Sequence, residues 1–291
     1  MTDYTHQTAP TQFVETNGIR FAYRRFGRTN GVPLVFNQHY TGTMDHWDPA
    51  VTDGFAKERE VILFDNAGVS SSSGEVPESF EQMGANAVAF IKALGLQQVD
   101  VLGFSIGGFV AQEIALAAPQ LVRHLVLVGT GPRSGEGMAG GTPEGNRIFS
   151  AKYDDPDHLW LNVFFTQSQA SQAAGRAFLK RFRLRTKDRD PEVNAEVPLA
   201  QRAAIAKWAA PRERPYDYLK TIQQPTLVVN GSTDPIIYTV NSFILQQNLP
   251  NAELIIYPDS AHGGHHQYPQ LFVRQASMFL SANDVWPAGN I

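Results

Sequence analysis

The segment GFSIGG, residues 103–108, places a serine among glycines where the apolar run VDVLGF meets a helical pattern. In a G-x-S-x-G turn between strand and helix, the serine has a strained backbone and an exposed hydroxyl, and bulky neighbours would collide with the sheet. The pattern predicts Ser105 as a nucleophile. The N–H of Ile106, at the helix start, is then placed to stabilise an anion. The alternative is a glycine-rich packing turn with a solvated serine, and the strand–turn–helix context favours the nucleophile.

A serine hydroxyl needs a base to take its proton, and that base needs an orienting partner. Where the nucleophile lies on a strand–turn–helix elbow, the acid and then the histidine follow it along the chain. The segment NGSTDPI, residues 230–236, follows an apolar run and offers Asp234. The last apolar run, ELIIY, is followed by PDSAH, which supplies His262.

The segment AHGGHHQYP, residues 261–269, carries three of the eight histidines of the chain, His262, His265 and His266. Such a cluster could be a catalytic base with two bystanders, a metal site, or a solvated loop. No other His, Asp or Glu cluster has ligand spacing, which disfavours zinc or iron. Asp259, close to His262 in sequence, competes with Asp234 for the role of the acid, but its local position favours a loop cap.

The elements that must position these residues form an alternation of short apolar runs and helical patterns. The predicted strands are residues 13–16, 19–26, 34–37, 61–65, 99–104, 125–129, 226–231 and 253–257. The helical patterns between them cover residues 79–94, 106–118, 239–248 and 268–281. Near-continuous apolar strands separated by helices predict an α/β protein with a parallel sheet covered on both faces. Asn17-Gly18 predicts a hairpin that makes the first two strands an antiparallel edge.

The alternation stops between residues 133 and 215. This stretch opens with a glycine-rich loop, SGEGMAGGTPEG (134–145), and continues with helical patterns near 156–166, 168–186 and 196–210. We interpret it as a helical cap inserted into a core formed by residues 1–132 and 216–291. The glycines would let the cap hinge.

Composition excludes several classes of function. The chain has 291 residues, 43 % of them hydrophobic and 18 % charged, as expected of a soluble globular protein. It has no cysteine, which removes disulfides, thiolate metal sites and cysteine nucleophiles. A net charge of −4 without a basic stripe argues against nucleic-acid binding. No apolar run approaches the ~18 residues of a membrane span, and the polar MTDYTHQTAP start is unlike a signal peptide, so we expect a cytoplasmic protein.

Together, VILFDNAG (61–68), GFSIGG (103–108), NGSTDP (230–235) and SAHGGHHQYP (260–269) resemble the α/β-hydrolase superfamily. The resemblance covers nearly the whole chain and is to the serine branch of esterases, lactonases and cofactor-free haloperoxidase-like enzymes. It implies a mostly parallel eight-stranded sheet with helices on both faces and a helical lid inserted after the sixth strand. It also implies the triad Ser105, Asp234 and His262. In the family's register His262 precedes Pro269 by seven residues, which leaves His265 and His266 as loop histidines at the entrance.

The chain departs from the family after its third strand. Relatives have His-Gly there, followed by the residue whose N–H completes the oxyanion hole. Here VFNQHYTG, residues 35–42, places Gln38-His39 at those positions and Tyr40 at the donor position. The donor survives, because any residue other than proline has an N–H. His39, Tyr40 and His46 become candidates to touch substrate, although the pair His46-Trp47 is better explained by packing.

The cap contributes four aromatic residues. They are Trp160, Phe164, Phe165 and Trp208. Aromatic side chains at helical spacing are more often core than pocket. If Trp160 and Phe164 do line the site, the pocket is apolar and suits a hydrophobic ester or lactone.

The sequence thus predicts an esterase-type serine hydrolase that acts on a small, apolar ester or lactone. It needs no metal and no organic cofactor, and it has no nucleic-acid or membrane partner; a homodimer stays open. A carbon–carbon bond hydrolase and a haloperoxidase-like perhydrolase would use the same triad. A small-molecule receptor that retains the fold without steady turnover is the alternative from another class.

Overall fold

A computed structural model describes residues 4–282 and contains one eight-stranded sheet. The strands are β1 (Gln12–Thr16), β2 (Ile19–Gly27), β3 (Leu34–Asn37), β4 (Glu60–Phe64), β5 (Val99–Phe104), β6 (Val122–Val128), β7 (Thr226–Gly231) and β8 (Ala252–Tyr257). Their order across the sheet is β1-β2-β4-β3-β5-β6-β7-β8. All eight predicted strands are present, with ends that differ by at most three residues.

The sheet is parallel from β4 through β8 and antiparallel at one edge. β1 pairs with β2 through the Asn17-Gly18 turn, where both residues have positive φ, and β2 pairs antiparallel with β4. The remaining pairs are parallel. Parallel strands bring their carboxyl ends to one edge, so the loops after β3, β5, β6, β7 and β8 lie together.

Ten α-helices lie between or beyond these strands in the described residues. They are α1 (Pro49–Ala56), α2 (Phe80–Ala93), α3 (Ile106–Ala117), α4 (Pro143–Ser150), α5 (Asp157–Phe164), α6 (Gln169–Phe182), α7 (Glu196–Ala209), α8 (Val240–Asn248), α9 (Gly264–Gln267) and α10 (Pro269–Ser281). The sequence analysis missed α1, α4 and α9. The first two begin with Pro at the first helical position after a capping side chain, Asp48 or Thr142, which is a recognisable start signal. The predicted loop 134–145 therefore ends at residue 142.

The apolar core has two parts, one on each face of the sheet. One part joins α2, α3 and α8 to the sheet and includes Phe90, Ile114 and Leu245. The other joins α1, α10 and the segment 157–182 to the opposite face and includes Phe55 and Phe272. Burial on both faces explains why the central strands are apolar throughout rather than alternating.

Helices α4 to α7 lie between β6 and β7, where the sequence analysis predicted a cap. Buried ion pairs tie this segment to the core: Arg24, on β2, contacts Asp45 at 2.6 Å and Asp190 at 2.9 Å. Arg181 of α6 makes a two-pronged contact with Asp48 at 2.8 and 2.7 Å. The division into a core and a cap at residues 133–215 stays a prediction, and residues 1–3 and 283–291 of that core lie outside the described residues. No helix of residues 4–282 has both the length and the apolar character that crossing a bilayer requires.

Candidate active site

Ser105 lies in the turn between β5 and α3 with φ 57° and ψ −123°, a backbone conformation that costs energy for any residue other than glycine. The glycines around it are required by close packing. A Cβ at Gly103 would overlap the backbone of Gly107, and one at Gly107 would collide with the carbonyl oxygen of Asn37. The G-x-S-x-G spacing therefore allows β5, the turn and α3 to pack directly on the loop after β3.

Hydrogen bonds hold the Ser105 backbone in this strained conformation. Its N–H donates to the carbonyl of Val128 at 2.9 Å. Its carbonyl accepts from the Thr130 hydroxyl at 2.8 Å and from the N–H of Gly108 at 2.9 Å. The surrounding structure thus stabilises a turn that the chain would not adopt alone, which is typical of functional sites.

Asp234 and His262, from the loops after β7 and β8, form a buried pair with Oδ2 and Nδ1 2.7 Å apart. The other carboxylate oxygen of Asp234 accepts from the N–H groups of Ile236 and Ile237 at 2.8 and 3.0 Å, which fixes its orientation. A carboxylate only accepts hydrogen bonds, so Nδ1 of His262 is the donor and carries a proton. Its Nε2 is then the basic nitrogen, as a general base requires.

The loops after β5, β6 and β8 bring Ser105 and His262 to the same place. The Phe104 ring, one residue before Ser105, packs against the His262 ring with centroids 5.0 Å apart. Gly129, with φ 52°, lies between them in close contact with His262, since a Cβ at this position would lie 3.3 Å from His262 Nδ1. No hydrogen bond joins the Ser105 hydroxyl to His262 within residues 4–282. Such bonds often form only when substrate is bound.

Asp259, the competing acid, has other partners. Its carboxylate accepts from the Thr166 hydroxyl at 2.6 Å and from the Ser168 hydroxyl at 2.5 Å. These bonds connect the loop after β8 to the loop between α5 and α6. Asp234, and not Asp259, is therefore the carboxylate that contacts His262, as the sequence analysis favoured.

The backbone N–H groups of the loop after β3 include donors that have no hydrogen-bond partner in the described residues. The N–H of His39 donates to the side-chain oxygen of Gln38 at 2.8 Å, and the N–H of Thr41 donates to Gln201 at 2.7 Å. Among the described residues, the N–H groups of Tyr40 and Ile106 have no acceptor. These are the two donors that the sequence analysis predicted for an oxyanion. Gln201 belongs to α7 and could not be predicted, because 160 residues separate it from Thr41.

Aromatic rings enclose this region. The Phe164 ring lies nearly parallel to that of His262, with centroids 6.1 Å apart. The ring of His39 lies 5.6 Å from those of Trp160 and Phe164 and 5.5 Å from Phe104. The predicted substrate contacts His39, Trp160 and Phe164 are therefore brought together beside His262. Phe104, the x before Ser105 in G-x-S-x-G, was missed, although its position next to the nucleophile was a usable signal.

Helix α5 is attached to the loop that carries His262. The N–H of Gly263 donates to the carbonyl of Phe164 at 3.0 Å, and a Cβ at Gly263 would lie 2.6 Å from the Cβ of Phe164. Ser105 is 5 % exposed and His262 is 2 % exposed. Both side chains are therefore almost closed off from solvent, with α5 packed against the loop that carries His262.

Phe165, Trp208 and Trp47 pack in the core, as the sequence analysis favoured. Trp208 stacks on Phe109 with centroids 4.8 Å apart and donates to the carbonyl of Pro132 at 3.0 Å. Phe165 packs against Phe178. Trp47 is buried against Phe36, whereas the His46 ring is half-buried and stacks on Phe182.

The interpretation of His265 and His266 as entrance histidines was wrong. Both are buried on the short helix α9, with ring centroids 3.8 Å apart, between Phe104 and Phe178. None of their four ring nitrogens has a hydrogen-bond partner in the described residues. The helix turns both side chains inward, which the loop-like sequence GGHHQ did not indicate. No three His, Cys, Asp or Glu side chains of residues 4–282 are arranged to hold a metal ion.

Burial lowers the pKa of five histidines, so stability should fall steeply in acid. The group comprises His6 (to about 3), His39 (to about 3), His46 (to about 4), His265 and His266 (both well below the ordinary range). Below pH 6.5 these histidines become protonated in the unfolded chain but stay neutral in the native state. Protonation therefore favours the unfolded chain, so the free energy of unfolding is highest above pH 6.5 and decreases as the pH falls. Burial also raises the pKa of Asp65, and raises that of Asp190 to about 6, so the native state binds protons at these two carboxyls and partly offsets the effect of the histidines.

Because the five histidines outnumber these two carboxyls, we expect the free energy of unfolding to fall as the pH is lowered from 6 to 4.5. Urea unfolding at a series of pH values measures it. His266→Phe should reduce the slope by about 1.4 kcal/mol per pH unit, because one titrating group is removed. His158→Gln, at an exposed position, should leave the slope unchanged. A flat profile between pH 6 and 4.5 would contradict the assignment of buried, neutral histidines.

The chain is similar to known proteins over most of its length. Residues 32–269 match the family model described as alpha/beta hydrolase fold. A solved alpha/beta hydrolase fold protein from Chitinophaga pinensis is 42 % identical, with a TM-score of 0.90, and the match covers 96 % of this chain and 100 % of that one. Est816, described as an N-acyl homoserine lactone degrading enzyme, is 26 % identical with a TM-score of 0.69, covering 92 % and 100 %. A putative carbamate hydrolase, RutD of Pseudomonas savastanoi, is 25 % identical over 86 % of this chain and 93 % of its own.

Proposed function

Because this chain belongs to the α/β hydrolase fold family, we propose that it is a serine hydrolase that cleaves a carboxylic ester or a lactone through an acyl-enzyme on Ser105. One observation carries the proposal. Asp234 and His262 are 2.7 Å apart, and the His262 ring packs on Phe104, the residue before Ser105. The N–H groups of Tyr40 and Ile106 have no acceptor in the described residues. These are the nucleophile, base, orienting acid and oxyanion donors of acyl transfer.

In the proposed mechanism the Ser105 oxygen attacks the carbonyl carbon while His262 Nε2 takes the hydroxyl proton. Asp234 holds the proton on Nδ1 and stabilises the imidazolium that forms. The N–H groups of Tyr40 and Ile106 donate to the oxyanion, each worth about 10²–10³ in rate. His262 then protonates the departing alkoxide oxygen, which leaves an acyl-enzyme. Water, deprotonated by His262, attacks the acyl carbon, and Ser105 departs with the proton.

The enclosure favours an apolar substrate. The rings of Phe104 and Phe164 pack against that of His262, Trp160 packs against Phe164, and no arginine or lysine stacks on these three rings in the described residues. A charged acyl group would lose hydration here without compensation. Similarity to a lactone-degrading enzyme and to a putative carbamate hydrolase supports attack on a carbonyl with an oxygen or nitrogen attached.

The test is reaction with a fluorophosphonate probe, followed by peptide mapping of the adduct and by assays of p-nitrophenyl esters of graded chain length. We expect the adduct on the peptide that contains Ser105, and turnover that rises with acyl length to an optimum. An adduct without steady turnover would favour a receptor. Cleavage of carbon–carbon bonds, or halogenation with peroxide and an organic acid, in excess of ester cleavage would favour the two rival enzymes. Absence of any adduct would overturn the mechanism.

A further inference from the structure

The ring of His39 has one nitrogen whose lone pair is unused. Its Nδ1 lies 2.9 Å from the carbonyl oxygen of Tyr40, and a carbonyl can only accept, so Nδ1 carries the proton. Nε2 is then an acceptor. It is buried and has no partner in the described residues, and the side chain as a whole is 6 % exposed. A buried polar atom without a hydrogen bond is costly, and in a native protein it calls for an explanation.

The neighbours of His39 do not supply the missing donor. Phe104 and Phe164 offer only carbon, and the indole N–H of Trp160, the third ring beside His39, makes no hydrogen bond to its Nε2. The ring of His46 is stacked at 5.8 Å, and its own Nδ1 accepts from the N–H of Thr43 at 2.9 Å. Protonation does not satisfy the atom either. Burial, and next the positive charge that His46 would carry, lower the pKa of His39 to about 3, so the ring is neutral at pH 7.

The position of this acceptor links it to the reaction. His39 directly precedes Tyr40, whose N–H is a proposed oxyanion donor, and its ring contacts both Phe104, next to Ser105, and Phe164, which stacks on His262. A donor that satisfies His39 Nε2 would therefore lie within the same aromatic enclosure as His262. Desolvation in this aromatic enclosure would cost a charged donor far more free energy than a hydroxyl or an amide N–H, for which one hydrogen bond can compensate.

We propose that His39 Nε2 accepts a hydrogen bond from an uncharged donor on the substrate, a hydroxyl or an amide N–H near the scissile carbonyl. This rests on the proposed function and narrows its substrate class to esters or lactones that carry such a group. His39 is a specificity-determining residue, because a substrate without the donor leaves a buried acceptor unpaired.

The test compares p-nitrophenyl hexanoates that carry a hydroxyl or a methoxy group at C2 or C3, since the methyl ether removes only the donor. In the wild type we expect kcat/KM to favour the hydroxy ester at one of the two positions about tenfold. His39→Phe should bring that ratio close to one. His39→Gln, which keeps an acceptor oxygen, should retain part of the preference. The neighbouring His46→Phe is the matched control and should keep the ratio.

The ratio separates substrate recognition from general damage, because a distorted Tyr40 loop would slow both esters alike. A wild-type ratio near one at both positions would overturn the role of His39 while leaving the serine hydrolase intact, and it needs no variant to fold. A preference that persists in His39→Phe would overturn it as well. Failure of the protein to cleave any ester or to react with fluorophosphonate would overturn the proposed function, and this inference with it.

Discussion

Ser105→Ala is expected to lower kcat for the best p-nitrophenyl ester by about 10⁵–10⁶-fold, since it removes the attacking oxygen. The remaining rate should still exceed that of the uncatalysed reaction, because the N–H groups of Tyr40 and Ile106 and the enclosure persist. Fluorophosphonate labelling should vanish together with turnover. The measurement is steady-state turnover combined with intact mass after exposure to the probe.

Ser260→Ala is the matched control, since Ser260 is also buried and lies two residues before His262, yet its hydroxyl makes no hydrogen bond in the described residues. It should leave kcat within about threefold of the wild type. Thermal unfolding of both variants shows whether the folds are intact. Retention of full activity or labelling by a folded Ser105→Ala protein would refute Ser105 as the nucleophile.

Asp234→Asn is expected to lower kcat by about 10⁴-fold through the tautomer of His262. Asn can keep the hydrogen bonds from Ile236 and Ile237 with its oxygen, so the loop should hold its shape. The amide NH₂ then faces Nδ1 of His262, which must become an acceptor. The proton moves to Nε2, the nitrogen that has to take the proton of Ser105. Steady-state kinetics at pH 7 to 9, with KM reported separately from kcat, measure the effect.

Asp259→Asn distinguishes the two carboxylates near His262. Asp259 is exposed and accepts from the hydroxyls of Thr166 and Ser168, which an amide oxygen can partly replace. We expect a change in kcat of less than about threefold, in line with other exposed positions. A larger loss for Asp259→Asn than for Asp234→Asn would show that the acid had been assigned to the wrong loop.

Prediction from the sequence succeeded where local signals and chain order agree. The family and the fold class are confirmed, because GFSIGG requires a strand before it and a helix after it, and apolar runs alternate with helical patterns along most of the chain. The catalytic roles of Ser105, Asp234 and His262 stay predictions. The structure adds that Asp234 and His262 are in contact although 28 residues separate them.

Prediction failed where a side chain's environment comes from distant parts of the chain. His265 and His266 read as polar loop residues, yet Phe104 from β5 and Phe178 from α6 enclose them. The helix α4 was taken as part of a glycine-rich loop, although its Thr142-Pro143 start could have been recognised. The sequence does not show that Nε2 of His39 lacks a hydrogen-bond partner, because this depends on burial of the ring by Trp160 and Phe164 of α5.

The sequence by itself determined the elements, their order and the types of reactive side chain, because hydrophobic periodicity and turn chemistry act over a few residues. Only the tertiary structure decided which carboxylate meets His262, which N–H groups stay unpaired, and which histidines lose contact with water. Those outcomes depend on packing between segments such as 37–42, 157–182 and 259–267, which lie far apart in the chain. Packing of that kind determines burial and hydrogen-bond partners, and burial and hydrogen-bond partners determine the chemistry.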